Sequence, residues 1–224
     1  MVGVKPSASL VLALKSFATC DIGDALIKLK YPYGGFLDGI TMFSPERQAG
    51  STKIFGEAIT VKMVDANDTT SPSLSKHFCD YNEAGKIMYI SQPGGMYSAC
   101  WGGLMTTRAR YLGSQGVIVD GRFRDVLEQR EMGFPVFARS MSILGSNGFT
   151  RASQVNVPVQ FKDELWIHPG DFLMGDADGV VVVPAAQLEA VVQLCTERKQ
   201  IDDLTFEALR NGEPIGDAIK RLRK

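Results

Sequence analysis

Gly102-Gly103-Leu104-Met105 opens a unit that runs through Val117-Ile118-Val119 to Asp120-Gly121-Arg122-Phe123-Arg124-Asp125. Glycines ahead of the helix-compatible residues 106–112 predict a loop leading into a helix, and Gly113-Ser114-Gln115-Gly116 stops it. Val117-Ile118-Val119 is a β-branched run of the kind that forms a strand buried on both faces. Asp120-Gly121 predicts a turn straight after it. A loop, helix and strand in this order bring Arg124 and Asp125 back beside the glycine pair. One side then offers backbone N–H groups at a helix start to an anion. The other offers a carboxylate to a hard cation and a guanidinium to an anionic oxygen.

Upstream, residues 86–91 form an apolar strand that Gln92-Pro93-Gly94-Gly95 ends, and residues 39–43 form another. Residues 55–63 alternate apolar with polar, which predicts a strand with one solvated face, and residues 74–84 predict a helix. Nearer the start, residues 7–17 carry leucines at helical spacing behind Ser7 or Ser9 as cap, and Thr19 or Asp21 caps a second helix ending near Tyr31-Pro32. Asp21 and Asp24 read as capping and first-turn charges.

Downstream, residues 126–132 predict a short helix over the Asp125 end, residues 135–138 a strand and residues 140–150 a loop. Residues 155–161 alternate cleanly as one strand, and residues 167–184 read as strand, turn and strand about the hairpin signal Asp178-Gly179. Asp176 and Asp178 are too few oxygen ligands for a calcium loop. A long amphipathic helix follows from about residue 185 to 210, then a short basic one over 214–223. Strands of both buried and half-buried pattern with helices between them predict a layered α/β fold, one domain over residues 1–224 with C-terminal helices from about 185.

A chain of 224 residues that is 45% hydrophobic is long enough to bury one good-sized core. With 24 basic and 25 acidic residues it carries no excess positive charge for nucleic acid. Cys20, Cys79, Cys100 and Cys195 are scattered without a CxxC pair and predict reduced thiols, as in a cytoplasmic protein. His77 and His168 make no HxxxH spacing, so a zinc site is not expected, and no GxGxxG follows a strand to hold a dinucleotide. Met1-Val2-Gly3-Val4-Lys5-Pro6 lacks a charged segment ahead of an apolar one, so no signal peptide is expected, and no apolar run is long enough for a membrane span.

The spacing is specific: Gly103, twenty residues, Arg124-Asp125, two residues, Glu128. On this pattern the chain resembles the class II, metal-dependent 4-hydroxy-4-methyl-2-oxoglutarate / 4-carboxy-4-hydroxy-2-oxoadipate aldolases, a family that includes RraA-like regulators of ribonuclease E. The likeness runs from Thr19 to about Pro184, with Gly56-x-Ala58-x-Thr60-Val61, Pro169-Gly170-Asp171 and Asp178-Gly179-Val180 in support. It implies a swivelling β/β/α three-layer sandwich, a homotrimer or homohexamer, and active sites near subunit interfaces.

The resemblance also implies chemistry: cleavage of a carbon–carbon bond beside a 2-oxo acid, through a pyruvate enolate. Such a reaction needs a lysine Schiff base or a metal as the sink for charge. The lysines lie mainly in polar or terminal stretches and none falls in the central unit, which favours the metal. By resemblance, Asp125 is the direct protein ligand of Mg²⁺ or Mn²⁺ and Arg124 pairs with the enolate oxygen. Backbone N–H groups of Gly102, Gly103, Leu104 and Met105 hold the substrate carboxylate, and Glu128 fixes metal-bound water. Glu197, from a neighbouring subunit, is a candidate general base. Retro-aldol cleavage and oxaloacetate decarboxylation share that enolate, so both are expected. The competing expectation is a non-catalytic, protein-binding RraA-like regulator.

Overall fold

Residues 7–223 are described by the computed structural model. The expectation that no signal peptide opens the chain falls on residues 1–6 and lies outside them. In chain order come α1 (Ala8–Lys15), α2 (Thr19–Lys28), β1 (Thr41–Ser44), β2 (Ile54–Asp65), β3 (Ile87–Ser91), α3 (Gly103–Tyr111), β4 (Gly116–Phe123), α4 (Val126–Glu131) and β5 (Val136–Met141). Then follow β6 (Thr150–Val155), β7 (Val159–Lys162), β8 (Leu165–Ile167), β9 (Phe172–Gly175), β10 (Val180–Val183), α5 (Leu188–Arg210) and α6 (Ile215–Leu222).

Strand β2 is the spine. Its first residues pair antiparallel with β9, its middle pairs parallel with β3, and its end pairs antiparallel with β6. The full order is β1-β5-β4-β3-β2-β9-β10, with β2 to β5 parallel and β7–β8 a separate hairpin. The sheet curls because one strand serves different partners along its length. The result is the layered α/β sandwich expected from the sequence.

The buried run of β4 behaves as its residue types require. Val117 and Val119 point into a core with Phe43, Trp101 and Phe123 beneath α3 and α4, whereas Ile118 points into another with Leu37, Tyr89 and Phe137. A third core packs α1, α2 and α5 over β9 and β10, with Leu14, Ile22, Leu26 and Val191 fully buried. Truncating one such side chain to alanine costs about 2–5 kcal/mol.

Five expectations change. Strand β2 is covered on both faces, with only Lys62 and Asp65 fully exposed, because cores lie on each side of it. No α-helix forms over residues 74–84, where only a 3-10 turn, Phe78–Tyr81, appears. Just upstream, Arg151 donates to the carbonyls of Asp68, Ser71 and Pro72, and the Asp68 carboxylate accepts from Thr70 and Ser71, so side chains fix a non-helical path.

Residues 155–161 are not one strand. Asn156 at φ +57° and Pro158 break it, so β6 ends on β2 and β7 starts on β8. Neither Thr19 nor Asp21 is the N-cap of α2, which is Ala18. Asp21 accepts the Ala18 N–H, and Asp176 reaches across from the β9–β10 hairpin to accept the Thr19 N–H at 2.9 Å.

The fifth change bears on the site. Asp120-Gly121 does not turn the chain, because β4 runs on to Phe123 with a bulge between Val119 and Arg122 in its pairing with β5. Gly121 is there for close approach: a Cβ would sit 2.2 Å from Gln92 Oε1, which accepts the Arg122 N–H. The turn comes at Asp125, a non-glycine residue at φ 63°, ψ 47°.

Candidate functional site

The unit closes as the sequence requires, with Arg124 and Asp125 against the start of α3. Trp101 bridges Phe123 in parallel register, and the Arg124 N–H donates to Trp101 O at 2.9 Å, so the entry to α3 rides on the end of β4. Asp125 is the N-cap of α4, and its left-handed backbone swings the carboxylate back over α3. Its Oδ2 accepts the Gly103 N–H at 2.8 Å and lies 3.5 Å from Arg124 Nε.

Glycines are needed here for the carboxylates. A Cβ on Gly102 would lie 2.6 Å from Asp125 Oδ2, and one on Gly103 would lie 1.8 Å from Glu128 Oε2. Both acid groups converge on the backbone that opens α3. Two of the four expected N–H groups are engaged within the chain: Gly103 donates to Asp125, and Met105 to Gly102 O at 3.1 Å. Those of Gly102 and Leu104 have no acceptor among the described residues and stay free for an anionic ligand.

A cavity of about 90 Å³ lies here, lined by Gly102 to Met105, Arg124 and Asp125, and roofed by Gly145 and Ser146 of the loop after β5. A groove of about 500 Å³ adjoins it through Arg124 and Asp125, with Val126, Met141, Ser142 and Ile143 as walls. Glu197 does not line either space within one chain; it accepts from Gln193 on α5. Asp21 and Asp24 sit apart as well, on α2, with Asp24 3.9 Å from Arg198.

Burial pushes the Cys100 thiol, on the cavity floor, up to about 12, so it stays protonated. Among the described residues no lysine lines the cavity or the groove. Burial lowers the Lys53 pKa, but that ammonium is held by the carbonyls of Lys15 and Phe17 behind α1.

The donor set suits one kind of metal. No cluster of three or more His, Cys, Asp or Glu exists among the described residues. Asp125, with Glu128 above the same glycine pair, fits a small hard cation that keeps most of its waters, as magnesium does.

Sequence reasoning missed the polar layer beneath. Trp101, Thr106 and Gln129 are fully buried and hydrogen-bonded in series. The available signal was a glutamine on the inward side of a six-residue helix, four positions after Asp125.

A family profile described as RraA-like, Aldolase/RraA, matches residues 19–182. A Halalkalibacterium halodurans protein named "Putative 4-hydroxy-4-methyl-2-oxoglutarate aldolase" is 37% identical over 139 residues, which is 62% of this chain and 62% of that relative, less than two thirds of its length. A crystal structure of an uncharacterized protein from Pseudomonas syringae pv. tomato superposes with a TM-score of 0.81 at 26% identity, over 96% of this chain and 99% of that one. Streptomyces coelicolor RraAS2, described as an unusual member of the RNase ES inhibitor RraA protein family, shares the fold with a TM-score of 0.76 at 22% identity, over 90% and 97% of the two chains.

Proposed function

The chain belongs to the RraA-like (Aldolase/RraA) family, and from that premise we propose that it is a divalent-metal-dependent carbon–carbon lyase acting on 2-oxo acids. Its reaction is cleavage of 4-hydroxy-4-methyl-2-oxoglutarate to two pyruvates, with oxaloacetate decarboxylation at the same site. The observation that carries this reading is the convergence of the Asp125 and Glu128 carboxylates on the Gly102–Gly103 backbone, with Arg124 alongside.

Asp125 would hold Mg²⁺ or Mn²⁺, with Glu128 orienting its water. A bound cation supplies Lewis acidity toward the ketone and carboxylate oxygens of a chelating 2-oxo acid. The free N–H groups of Gly102 and Leu104 face the substrate carboxylate at the start of α3. Arg124 keeps N–H groups beyond the Nε that faces Asp125, and these meet the ketone oxygen as charge builds on it. In retro-aldol cleavage a base takes the C4 hydroxyl proton, the C3–C4 bond breaks, and the electron pair forms pyruvate enolate while the second fragment leaves as pyruvate. In decarboxylation the bond to the departing carboxylate breaks, CO₂ leaves, and no hydroxyl proton is taken. Protonation at C3 ends both.

Large apolar side chains left bare around the site, among them Leu104 at 88% and Ile143 at 93% exposure, support a homotrimer or homohexamer in which a second copy closes the groove. Four free cysteines, and the absence among the described residues of a helix long and apolar enough to cross a membrane, support a cytoplasmic setting. Pyruvate release from 4-hydroxy-4-methyl-2-oxoglutarate and from oxaloacetate, with and without Mg²⁺, tests the reading. Metal-dependent release from both supports it. Release that persists in chelator, or a borohydride-trapped lysine adduct, contradicts it. No release from either substrate points to the regulator instead.

A further inference from the structure

The two halves of the site come from different helices, α3 opening at Gly103 and α4 opening after Asp125. One buried side chain spans them. Gln129 Nε2 donates to Arg124 O at 3.3 Å, and Gln129 Oε1 accepts from Thr106 Oγ1 on α3. Thr106 Oγ1 in turn accepts from Trp101 Nε1 at 2.8 Å. Thr106 and Gln129 are fully inaccessible and Trp101 nearly so, so water does not compete for these bonds.

The position of the acceptor matters most. Arg124 O belongs to the peptide plane whose rotation is the φ angle of Asp125, and that angle is 63°. Gln129 also donates its own N–H to Asp125 O at 3.0 Å. One residue thus grips the peptide groups on both sides of the Asp125 Cα, in a conformation that L-residues occupy sparsely. The same side chain is bonded to the helix whose Gly103 N–H meets the Asp125 carboxylate.

We propose that Gln129, working through Thr106, is a positioning residue that sets the Asp125 turn against the start of α3 and so fixes the geometry of the acid group. For its effect on turnover the inference rests on the lyase reading above; for the geometry it does not. A leucine at this position would fill the space and leave both Arg124 O and the Thr106 hydroxyl without their partner.

The test uses Gln129→Leu, Thr106→Val and Thr106→Ser in the full chain, read by amide hydrogen exchange, thermal melting, and kcat and KM for oxaloacetate with Mg²⁺. In Gln129→Leu and Thr106→Val, exchange should rise at the bonded amides of Gly103, Arg124 and residue 129 while the strand amides of β3 and β4 keep their protection. The kcat should fall on the order of tenfold with KM within a few-fold, as for a small misplacement of a reacting group. Thr106→Ser, which keeps the hydroxyl, should restore both readouts. Unchanged exchange at those residues overturns the proposal. So does loosening spread evenly over the sheet, or failure of both variants to fold, since either marks a purely structural role. If the wild-type chain releases no pyruvate yet exchange rises locally, the lyase reading falls and the positioning role stands.

Discussion

Two cavities lie at the carboxyl ends of the parallel strands, and the proposed chemistry belongs to the smaller one. The larger, about 730 Å³, is lined by Gln92, Asp120, Arg122, Arg139 and their neighbours. It has a carboxylate and two guanidiniums, but Asp120 is already spent. The Tyr89 hydroxyl donates to one of its oxygens at 3.1 Å and Arg139 takes the other. Arg122 is tied down by the carbonyls of Met96 and Met141 and by the Ser140 hydroxyl. At Asp125 one oxygen meets Gly103 and Arg124, and the other has no partner among the described residues. Volume locates space; uncommitted charge over an approachable backbone locates a reaction.

Replacing the two aspartates separates these roles most sharply. Asp125→Ala should abolish aldol cleavage and decarboxylation together, a loss on the order of a thousandfold, since several kcal/mol of charge stabilisation go with it. Circular dichroism should stay unchanged, because the Asp125 carboxylate is only half-buried and accepts a single hydrogen bond, from the Gly103 N–H. Asp120→Ala should do the reverse. It strands the buried Tyr89 hydroxyl and leaves Arg139 with only the Asp38 carbonyl, lowering stability by about 1–3 kcal/mol with kcat largely kept. Decarboxylation above the metal-only background by Asp125→Ala would erase the distinction.

The arginines make the next contrast. Arg124→Lys should cost on the order of a hundredfold in kcat, as for loss of one preorganised donor to an oxyanion. Arg122→Lys loses bonds to three neutral acceptors and should register in the melting temperature instead. Near-wild-type kcat in Arg124→Lys would reduce Arg124 to a surface cation.

Glycine substitutions sharpen the comparison further. In Gly103→Ala the new methyl meets the far end of a flexible side chain, Glu128, which can swing away, so the fold should survive with kcat down on the order of tenfold. In Gly121→Ala the methyl meets Gln92, which is buried and bonded at both ends, so solubility or melting should suffer first. The smallest effect is expected from Glu128→Gln. Retro-aldol cleavage should drop several-fold more than decarboxylation, because only the former needs a base whose water this carboxylate orients. Equal losses would assign Glu128 a direct part in both.

The same contrast explains what the sequence revealed. Val117-Ile118-Val119 announced a strand buried on both faces because β-branched residues fill opposite cores at period two. The spacing from Gly103 to Arg124, Asp125 and Glu128 survived into space because a short helix and one strand leave the chain little freedom. The Asp120-Gly121 turn failed because a glycine wanted for close approach looks, in sequence, like a glycine wanted for a turn. The helix over 74–84 failed because Arg151, far along the chain, holds the segment ahead of it. Gln129 was passed over because the acceptor that gives it meaning, Arg124 O, is a backbone atom.

Mn²⁺ binding, followed by electron paramagnetic resonance in the wild-type chain, Asp120→Asn and Asp125→Asn, tests the central claim most directly. The account predicts one ion per chain in the wild type and in Asp120→Asn, its signal altered when a 2-oxo acid is added, and none in Asp125→Asn. Equal binding by the wild type and Asp125→Asn, or loss of binding in Asp120→Asn alone, would contradict it.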